Sequence, residues 1–300
     1  MEIWIVLSVA AAAFQTVRFV LQKKLSMGPL SAGGSTLARF LYSVPFVVPL
    51  TLALTMRTGS GIPEHTSLFW PYAIGGGLAQ IVATWCVIVL FAMRNFAVGV
   101  TLMKTEVIQA AILGYLLLGD KITALGITAI ILGLVGVLLL ARPPGHQRGG
   151  RSDLTGLPIV LGLTSGTFFA ISAVGYRAAT LEIASSDPLL RATLALCVVT
   201  VMQTVILTGW LRWHEPGQVG RVITAYRSAV WIGLMSMAGS LCWFTAFTLQ
   251  NAALVFAVGQ IEVLFSLFVA TLVFGEKITR REGVGITLIT LSVVAIVLWR

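Results

Sequence analysis

The sequence predicts an all-α integral membrane protein with ten transmembrane helices, arranged as two five-helix inverted repeats. The first supporting observation is composition: 57% of the 300 residues are hydrophobic and only 10% are charged, whereas a soluble domain carries about 25% charged residues. The second is an internal repeat, since residues 95–123 match residues 251–279 at a constant offset of 156 positions (251 minus 95). A repeat of this length indicates a duplicated structural unit.

Both copies of the repeat have the same plan. An Asn opens an apolar run, a single Glu lies inside it (Glu106 and Glu262), and an acidic-Lys-Ile-Thr turn closes it at residues 120–123 and 276–279. We expect Asn95 and Asn251, and likewise Thr123 and Thr279, to cap the helices that follow them, because Asn and Thr are good N-cap residues.

Ten apolar runs are long enough to cross a bilayer, which takes about 20 residues per helix. Most connections between them are short, so neighbouring spans form antiparallel hairpins. Alternation with a period of two, the sign of a membrane β-barrel, is not seen. The ten predicted spans cover residues 3–22, 32–56, 70–93, 96–118, 122–141, 157–178, 188–209, 228–249, 252–274 and 280–299.

Residues 142–153 (RPPGHQRGGRSD) form the clearly polar, Pro/Gly-rich break in the chain. They separate a first five-span repeat, residues 1–141, from a second, residues 154–300. Five is an odd number, so the two halves insert with opposite orientation, as in many transporters. Glycine clusters at residues 75–77 and 126–136 favour close helix packing.

Charge indicates the surroundings of the protein. The net charge of +9 comes from Lys and Arg scattered over short connections, without a basic stripe, which indicates the lipid bilayer and not nucleic acid as the partner. The basic loops follow odd-numbered spans and place both termini outside the cytoplasm. The expected location is a bacterial inner (plasma) membrane. All three Cys lie in apolar runs, and no metal or cofactor is expected.

The chain resembles the EamA-type ten-span members of the drug/metabolite transporter superfamily. The resemblance rests on the five-plus-five duplication, on the turns at residues 118–121 (LGDK) and 274–277 (FGEK), and on the Gly-rich fifth and tenth spans. It implies a central cavity lined by spans one to four and six to nine, and cytoplasmic termini, against the loop charges. Val107 and Val263 stand where the family often has Pro, which predicts that span four has no kink.

Glu106 and Glu262 are the first candidates for a functional role. A carboxylate in mid-membrane costs roughly 2.5–3.5 kcal/mol on insertion scales and usually faces a cavity or a partner. The functional interpretation is a substrate or proton site, and the alternative is a structural ion pair with an intramembrane Arg. Lys104 lies two residues from Glu106, hence nearly opposite on a continuous helix, so no direct pair is expected. Arg39 is either a partner of Glu106 or an anion ligand, and Lys104 is the other candidate to bind an anionic group.

The remaining candidates are polar or aromatic residues on the same helix faces. Interhelical hydrogen bonds and lipid-facing aromatic rings are the structural alternative for them. Arg18 and Arg177 lie toward span ends, where long basic side chains reach the interface. The candidates for the cavity wall are Gln109, Gln80, Thr84, Ser240, Trp243 and Gln260.

These features together favour a secondary active transporter. It would move a small polar or amphipathic metabolite, amino-acid-like or another zwitterion, by alternating access, with proton coupling through Glu106 and Glu262 as an option. The alternative is a lipid-translocating or accessory membrane protein. A membrane-embedded enzyme is disfavoured because the sequence has no nucleophile or metal constellation. The expected assembly is a monomer or a homodimer.

Overall fold

The computed structural model describes residues 2–26, 28, 30–58, 61–93, 102–140, 156–265 and 280–298. Within these ranges the regular secondary structure is helical, and one isolated antiparallel bridge joins His65 to Ile183. The predicted all-α class is therefore confirmed. The predicted linker 142–153 lies outside the described residues, as do Asn95 and the second acidic turn at 276–279.

The helices follow the order of the predicted spans, with the second span divided into two helices and one short additional helix in the loop before the eighth span. Their bounds are α1 Ile3–Ser26, α2 Ala32–Leu41, α3 Val44–Thr58, α4 Phe69–Phe91, α5 Glu106–Leu118, α6 Ala124–Leu140, α7 Leu157–Leu181, α8 Pro188–His214, α9 Gln218–Thr224, α10 Tyr226–Leu249, α11 Ala252–Gly259 and α12 Arg280–Leu298.

Six helical segments of the described chain are long and apolar enough to cross a membrane: 3–25, 32–57, 69–91, 157–181, 188–214 and 226–249. They coincide with predicted spans one, two, three, six, seven and eight. The other four predicted spans contain shorter apolar helices of 10–17 residues. The count of ten spans and the inverted orientation of the halves stay predictions.

Helix packing follows the sequence repeat. α1 packs against α10, α4 packs against α7, and α6 packs against α12. A shift of 156 residues turns the first pair into the second, because α1 corresponds to α7 and α4 to α10. The same shift maps the third pair onto itself. The main helix contacts therefore join the first half of the chain to the second.

Glycines allow two of these contacts to be close. A Cβ atom on Gly175 of α7 would lie 3.1 Å from Cα of Gly76 in α4, so neither position has room for a larger side chain. A Cβ on Gly136 of α6 would lie 2.9 Å from the carbonyl oxygen of Gly285 in α12. The prediction that the glycine clusters serve close helix packing is confirmed at both sites.

A turn at residues 42–43 divides the second span into α2 and α3. The Ser43 hydroxyl is within hydrogen-bonding distance of the carbonyl oxygens of Arg39 (2.7 Å) and Gly233 (2.9 Å). A Cβ on Gly233 would overlap the backbone of Tyr42. α10 therefore packs directly on this turn, and the turn holds Arg39 in the last helical turn of α2.

The first acidic turn fixes the end of α5. Gly119 adopts a left-handed conformation (φ 67°), and its amide donates to the Tyr115 carbonyl, as in the αL C-cap motif. The amide of Asp120 donates to the Gly114 carbonyl. The Asp120 carboxylate then accepts two hydrogen bonds from Arg177 of α7, at 2.9 and 3.1 Å. Arg177 is thus fixed in a paired contact within the protein.

The predicted helix caps downstream are confirmed. The Thr123 hydroxyl accepts a hydrogen bond from the amide of Gly126 at 3.1 Å. The Asn251 side chain accepts one from the amide of Leu254 at 3.0 Å and begins α11.

Candidate functional site

The fourth and ninth spans are interrupted at equivalent positions. In the first half, residues 104–105 form a turn and α5 begins at Glu106; in the second half, α11 ends at Gly259 and Gln260 forms a turn before helix resumes at 261–265. The expectation that span four is continuous was wrong. The Thr105 hydroxyl donates to the Leu102 carbonyl at 2.7 Å, and such local bonds compete with helix without any proline.

The turn brings three charged side chains together. The Lys104 ammonium donates to Oε2 of Glu262 at 2.8 Å and lies 3.7 Å from Oε1 of Glu106. All three side chains are at most 8% exposed. We call Lys104, Glu106 and Glu262 the acid–lysine cluster. It joins the two halves of the chain and holds two carboxylates and one ammonium group.

The sequence-based placement of Lys104 opposite Glu106 was therefore wrong. That placement assumed a continuous helix, in which residues two apart point in different directions. Because residues 104–105 leave the helix, the Lys104 side chain turns toward Glu106 and reaches the other half of the chain. Each carboxylate has Lys104 as a neighbour.

Gln15 of α1 extends this network toward the protein centre. Its amide nitrogen donates to Oε2 of Glu262 at 2.8 Å, and its amide oxygen accepts from the indole N–H of Trp243 at 3.2 Å. The Trp243 ring stacks on Phe247 with centroids 5.6 Å apart and meets Phe256 edge-on at 5.6 Å. A polar chain thus connects the acid–lysine cluster to an aromatic surface.

That aromatic surface borders a small central cavity of about 40 Å³. This volume holds a few waters at most. Both halves of the chain supply its wall, through α1, α2, α4, α7, α10 and α11. The lining residues are Gln15, Arg39, Gln80, Phe169, Ser172, Ala173, Tyr176, Ser240, Trp243, Phe244, Phe247 and Phe256. A smaller cavity of about 10 Å³ adjoins it and shares Arg39, Gln80 and Ser240.

Arg39 is the charged residue of this wall. It is 5% exposed and donates to the Thr84 hydroxyl at 2.8 Å. Among the described residues no carboxylate lies within 4 Å of its guanidinium, so a Glu106–Arg39 pair is not formed. A guanidinium has five N–H donors, and a neutral hydroxyl occupies one of them.

Gln80 is held in the wall by two partners from the second half. Its amide oxygen accepts from the Tyr176 hydroxyl at 2.9 Å and from the Gln203 amide at 3.0 Å. Gln203 also donates to the Gly77 carbonyl at 2.9 Å. Tyr176 stacks on Phe244 with centroids 4.2 Å apart. The hydrogen bonds therefore fix both Gln80 and the tyrosine ring beside the cavity.

Two predicted site residues point elsewhere. Gln260 is 1% exposed, but a Cβ on Gly133 of α6 would lie 2.5 Å from its amide oxygen and 2.7 Å from Oγ of Ser292. Its side chain therefore faces the contact between α6 and α12, where both amide atoms lack a hydrogen-bond partner within the described chain. Gln109 donates to the Thr105 hydroxyl at 3.1 Å and supports the turn of its own span.

Sequence reasoning gave no weight to the aromatic residues of α7. Phe169, Ser172 and Tyr176 recur at intervals of three and four, so they share one helix face, and this spacing was a usable signal. Gln203 was a second signal, since it stands alone as an amide within an apolar run. The approach of Phe256 to Trp243 across α10 and α11 depends on tertiary packing and has no local signature.

Comparisons with known proteins agree with this architecture. The model of the EamA-like transporter family matches residues 156–298, the second predicted repeat. One solved structure, described only as the crystal structure of a protein, matches with a TM-score of 0.69 and 11% identity over 97% of this chain and 95% of that one. That likeness concerns the fold alone. No match was found among the curated proteins. By its apolar helical fold and its family match, the chain is an integral membrane protein whose residues 156–298 are similar to the EamA-like transporter family.

Proposed function

We propose that the protein is a secondary active transporter that moves a small amphipathic zwitterion by alternating access around the central cavity. The single observation that carries this proposal is Arg39: a buried guanidinium with a neutral partner, in the wall of a small, aromatic-lined cavity to which both halves contribute. The proposed location is a bacterial inner membrane, and the proposed assembly is a monomer or a homodimer.

Arg39 supports an anionic group on the substrate. A charge removed from water is costly unless it is paired, and no described carboxylate lies close enough to pair with this one. A guanidinium binds carboxylates through two parallel hydrogen bonds. A substrate carboxylate would therefore supply the missing counter-charge.

The aromatic residues of the cavity wall support a positive or apolar group on the substrate. Neither carboxylate of the acid–lysine cluster lines the cavity, whereas Trp243, Phe247 and Phe256 do. Aromatic faces attract ammonium groups, most strongly when water is excluded, and they also accept apolar surface. An amino acid or a betaine carries both required features.

The acid–lysine cluster is the proposed coupling site. It lies at the breaks of the fourth and ninth spans and bonds one half of the chain to the other. Broken helices at the repeat interface are where secondary transporters bind substrates and coupling ions. We assign Glu106 and Glu262 to proton coupling, with Lys104 as the cation that both carboxylates share.

Lipid translocation is the second candidate function. A groove of about 580 Å³ lies between α5 and α6 and is lined mainly by apolar residues such as Ile108, Tyr115 and Ile131. The buried guanidinium and the enclosed cavity favour a soluble substrate over a lipid, because they recognise polar groups within the protein.

The test compares two zwitterions with analogues that lack one charge. Purified protein is titrated with L-phenylalanine, glycine betaine, phenethylamine (no carboxylate) and 3-phenylpropionate (no ammonium group), and thermal stability and proteoliposome counterflow are measured. A ligand that binds the folded state raises the apparent stability by mass action. We expect at least one zwitterion to stabilise the protein and to be exchanged, and phenethylamine to do neither.

Arg39→Gln should abolish both effects. The matched control is Arg191→Gln, which removes the same charge from α8 outside the cavity wall and should leave binding intact. Stabilisation by phenethylamine equal to that by L-phenylalanine would contradict the role of Arg39. Failure of both zwitterions to bind the wild type would overturn the proposed substrate class.

A further inference from the structure

Gln15 lines the cavity and also contacts the acid–lysine cluster. Its side chain lines the cavity beside Arg39 and Trp243. The same side chain donates to Glu262 at 2.8 Å and accepts from Trp243 at 3.2 Å. A single carboxamide therefore connects the surface that a ligand would touch with the charged contact between the two halves.

The chemistry of the two contacts requires an amide. An indole N–H only donates, an ionised carboxylate only accepts, and a carboxamide offers one group of each kind. At position 15, Met would keep an unbranched side chain but make neither hydrogen bond. Glu would keep an acceptor for Trp243 but would turn a second carboxylate toward Glu262.

Trp243 connects ligand binding to Gln15. The cavity of about 40 Å³ is too small for a metabolite, so a ligand is admitted only if the aromatic rings of its wall move. The Trp243 ring also packs on Gly259, where a Cβ would overlap it. Gly259 is the last residue of α11 and directly precedes the turn at Gln260. Movement of this ring therefore acts on Gln15 and on the break of the ninth span.

We infer that Gln15 is a positioning residue that couples occupancy of the cavity to the acid–lysine cluster. Displacement of Trp243 by a ligand changes the orientation of the Gln15 amide, which alters the bonding of Glu262 and allows the two halves to move. This inference rests on the proposed function, because it needs a ligand that enters the central cavity.

A purely structural role would give a different result. If Gln15 only supported the cavity wall, its replacement would weaken ligand binding and slow transport through the same defect. If it couples the two sites, its replacement leaves binding nearly unchanged and slows translocation. The decisive readout is therefore the split between affinity and maximal rate.

The experiment uses the full-length protein in proteoliposomes, with L-phenylalanine and glycine betaine as probes. For Gln15→Met we expect the dissociation constant of the bound probe to stay within about threefold of wild type and the maximal counterflow rate to fall by about tenfold or more. Ser8→Ala is the matched control on α1, because the Ser8 hydroxyl bonds only to the local Trp4 carbonyl among its described contacts. It should behave as wild type.

A second variant keeps the test decisive if Gln15→Met does not fold. Gln15→Glu should also keep the affinity and lose the rate, because the donor to Glu262 becomes a carboxylate. If a folded Gln15 variant exchanges the probe at the wild-type rate, or loses affinity and rate in proportion, the inference is wrong while the proposed function stands. If the wild type neither binds nor exchanges either zwitterion, the proposed function fails and the inference fails with it.

Discussion

Replacement of Lys104 by Met should destabilise the protein more than any other single change in the acid–lysine cluster. The substitution leaves Glu262 and Glu106 buried without their shared cation. Removal of one partner from a buried ion pair typically costs about 3–5 kcal/mol. We expect a loss of this size in the free energy of unfolding.

The two carboxylates should contribute unequally to this loss. Lys104 makes a hydrogen-bonded contact with Glu262 at 2.8 Å, whereas Glu106 lies at 3.7 Å, beyond hydrogen-bonding range. The Coulomb attraction differs by a factor of only about 1.3 between these distances. A hydrogen bond to a charged group contributes about 1.5–3 kcal/mol, so the Lys104–Glu262 coupling should exceed the Lys104–Glu106 coupling mainly through this bond.

The assay is equilibrium unfolding of the purified protein in detergent, with double-mutant cycles that combine Lys104→Met with Glu262→Gln or Glu106→Gln. Lys121→Met is the control, since Lys121 is exposed and its loss should change the stability by less than about 0.5 kcal/mol. A Lys104→Met protein as stable as this control, or equal coupling energies in the two cycles, would refute the reasoning.

Two further predictions concern packing and pairing around the site. Gly259→Ala places a methyl group against the Trp243 ring and should lower the melting temperature and the transport rate, because overpacking costs about 1–3 kcal/mol. The control is Gly75→Ala, which has open space around its Cβ position and should leave both quantities at or above their wild-type values. Equal effects of the two substitutions would contradict the described contact between Gly259 and Trp243. Arg177→Lys loses the two-pronged contact with Asp120 and should destabilise by about 1.5–3 kcal/mol in chemical unfolding. The loss should be smaller in an Asp120→Asn background, where the Arg177 bond to the Phe247 carbonyl still contributes; an unchanged loss there would contradict the ion pair.

The fold class was predictable because it depends on composition and hydrophobicity over long segments, and not on the exact position of any single residue. Low charge and long apolar runs require membrane helices, and the constant offset of 156 residues indicates equivalent units. That equivalence is seen in the packing, where α1 with α10 corresponds to α7 with α4. The caps at Thr123 and Asn251 were also predictable, since each depends on residues three positions apart.

The site was only partly predictable because its geometry is tertiary. Sequence reasoning selected Arg39, Gln80, Ser240 and Trp243, which line the cavity. It also placed the carboxylates at the centre of recognition, whereas they lie beyond the cavity wall. The error began at Lys104: a helical projection fixes directions only where the helix continues, and neither Gly nor Pro marks the break at residues 104–105.

Gln260 is a second residue whose side-chain direction could not be predicted from the sequence. It stands 156 residues after Lys104 and was a candidate for the cavity wall, but its side chain faces α6 and α12. Equivalent backbone positions do not impose equivalent side-chain directions when the two residues differ in charge and length. The buried ammonium group of Lys104 needs carboxylate partners. The neutral amide of Gln260 can be buried against apolar side chains at a lower cost in free energy.

The charge difference between Lys104 and Gln260 makes the two halves of this duplicated chain unequal in energy. One half carries a cation at the interruption of its helix and the other carries a neutral side chain. If the two halves exchanged their conformations, the ion pair between Lys104 and Glu262 would be broken. No equivalent ion pair could form at Gln260, because its side chain is neutral. In the proposed transport cycle the two orientations would therefore differ in energy, and one of them would be preferred at rest.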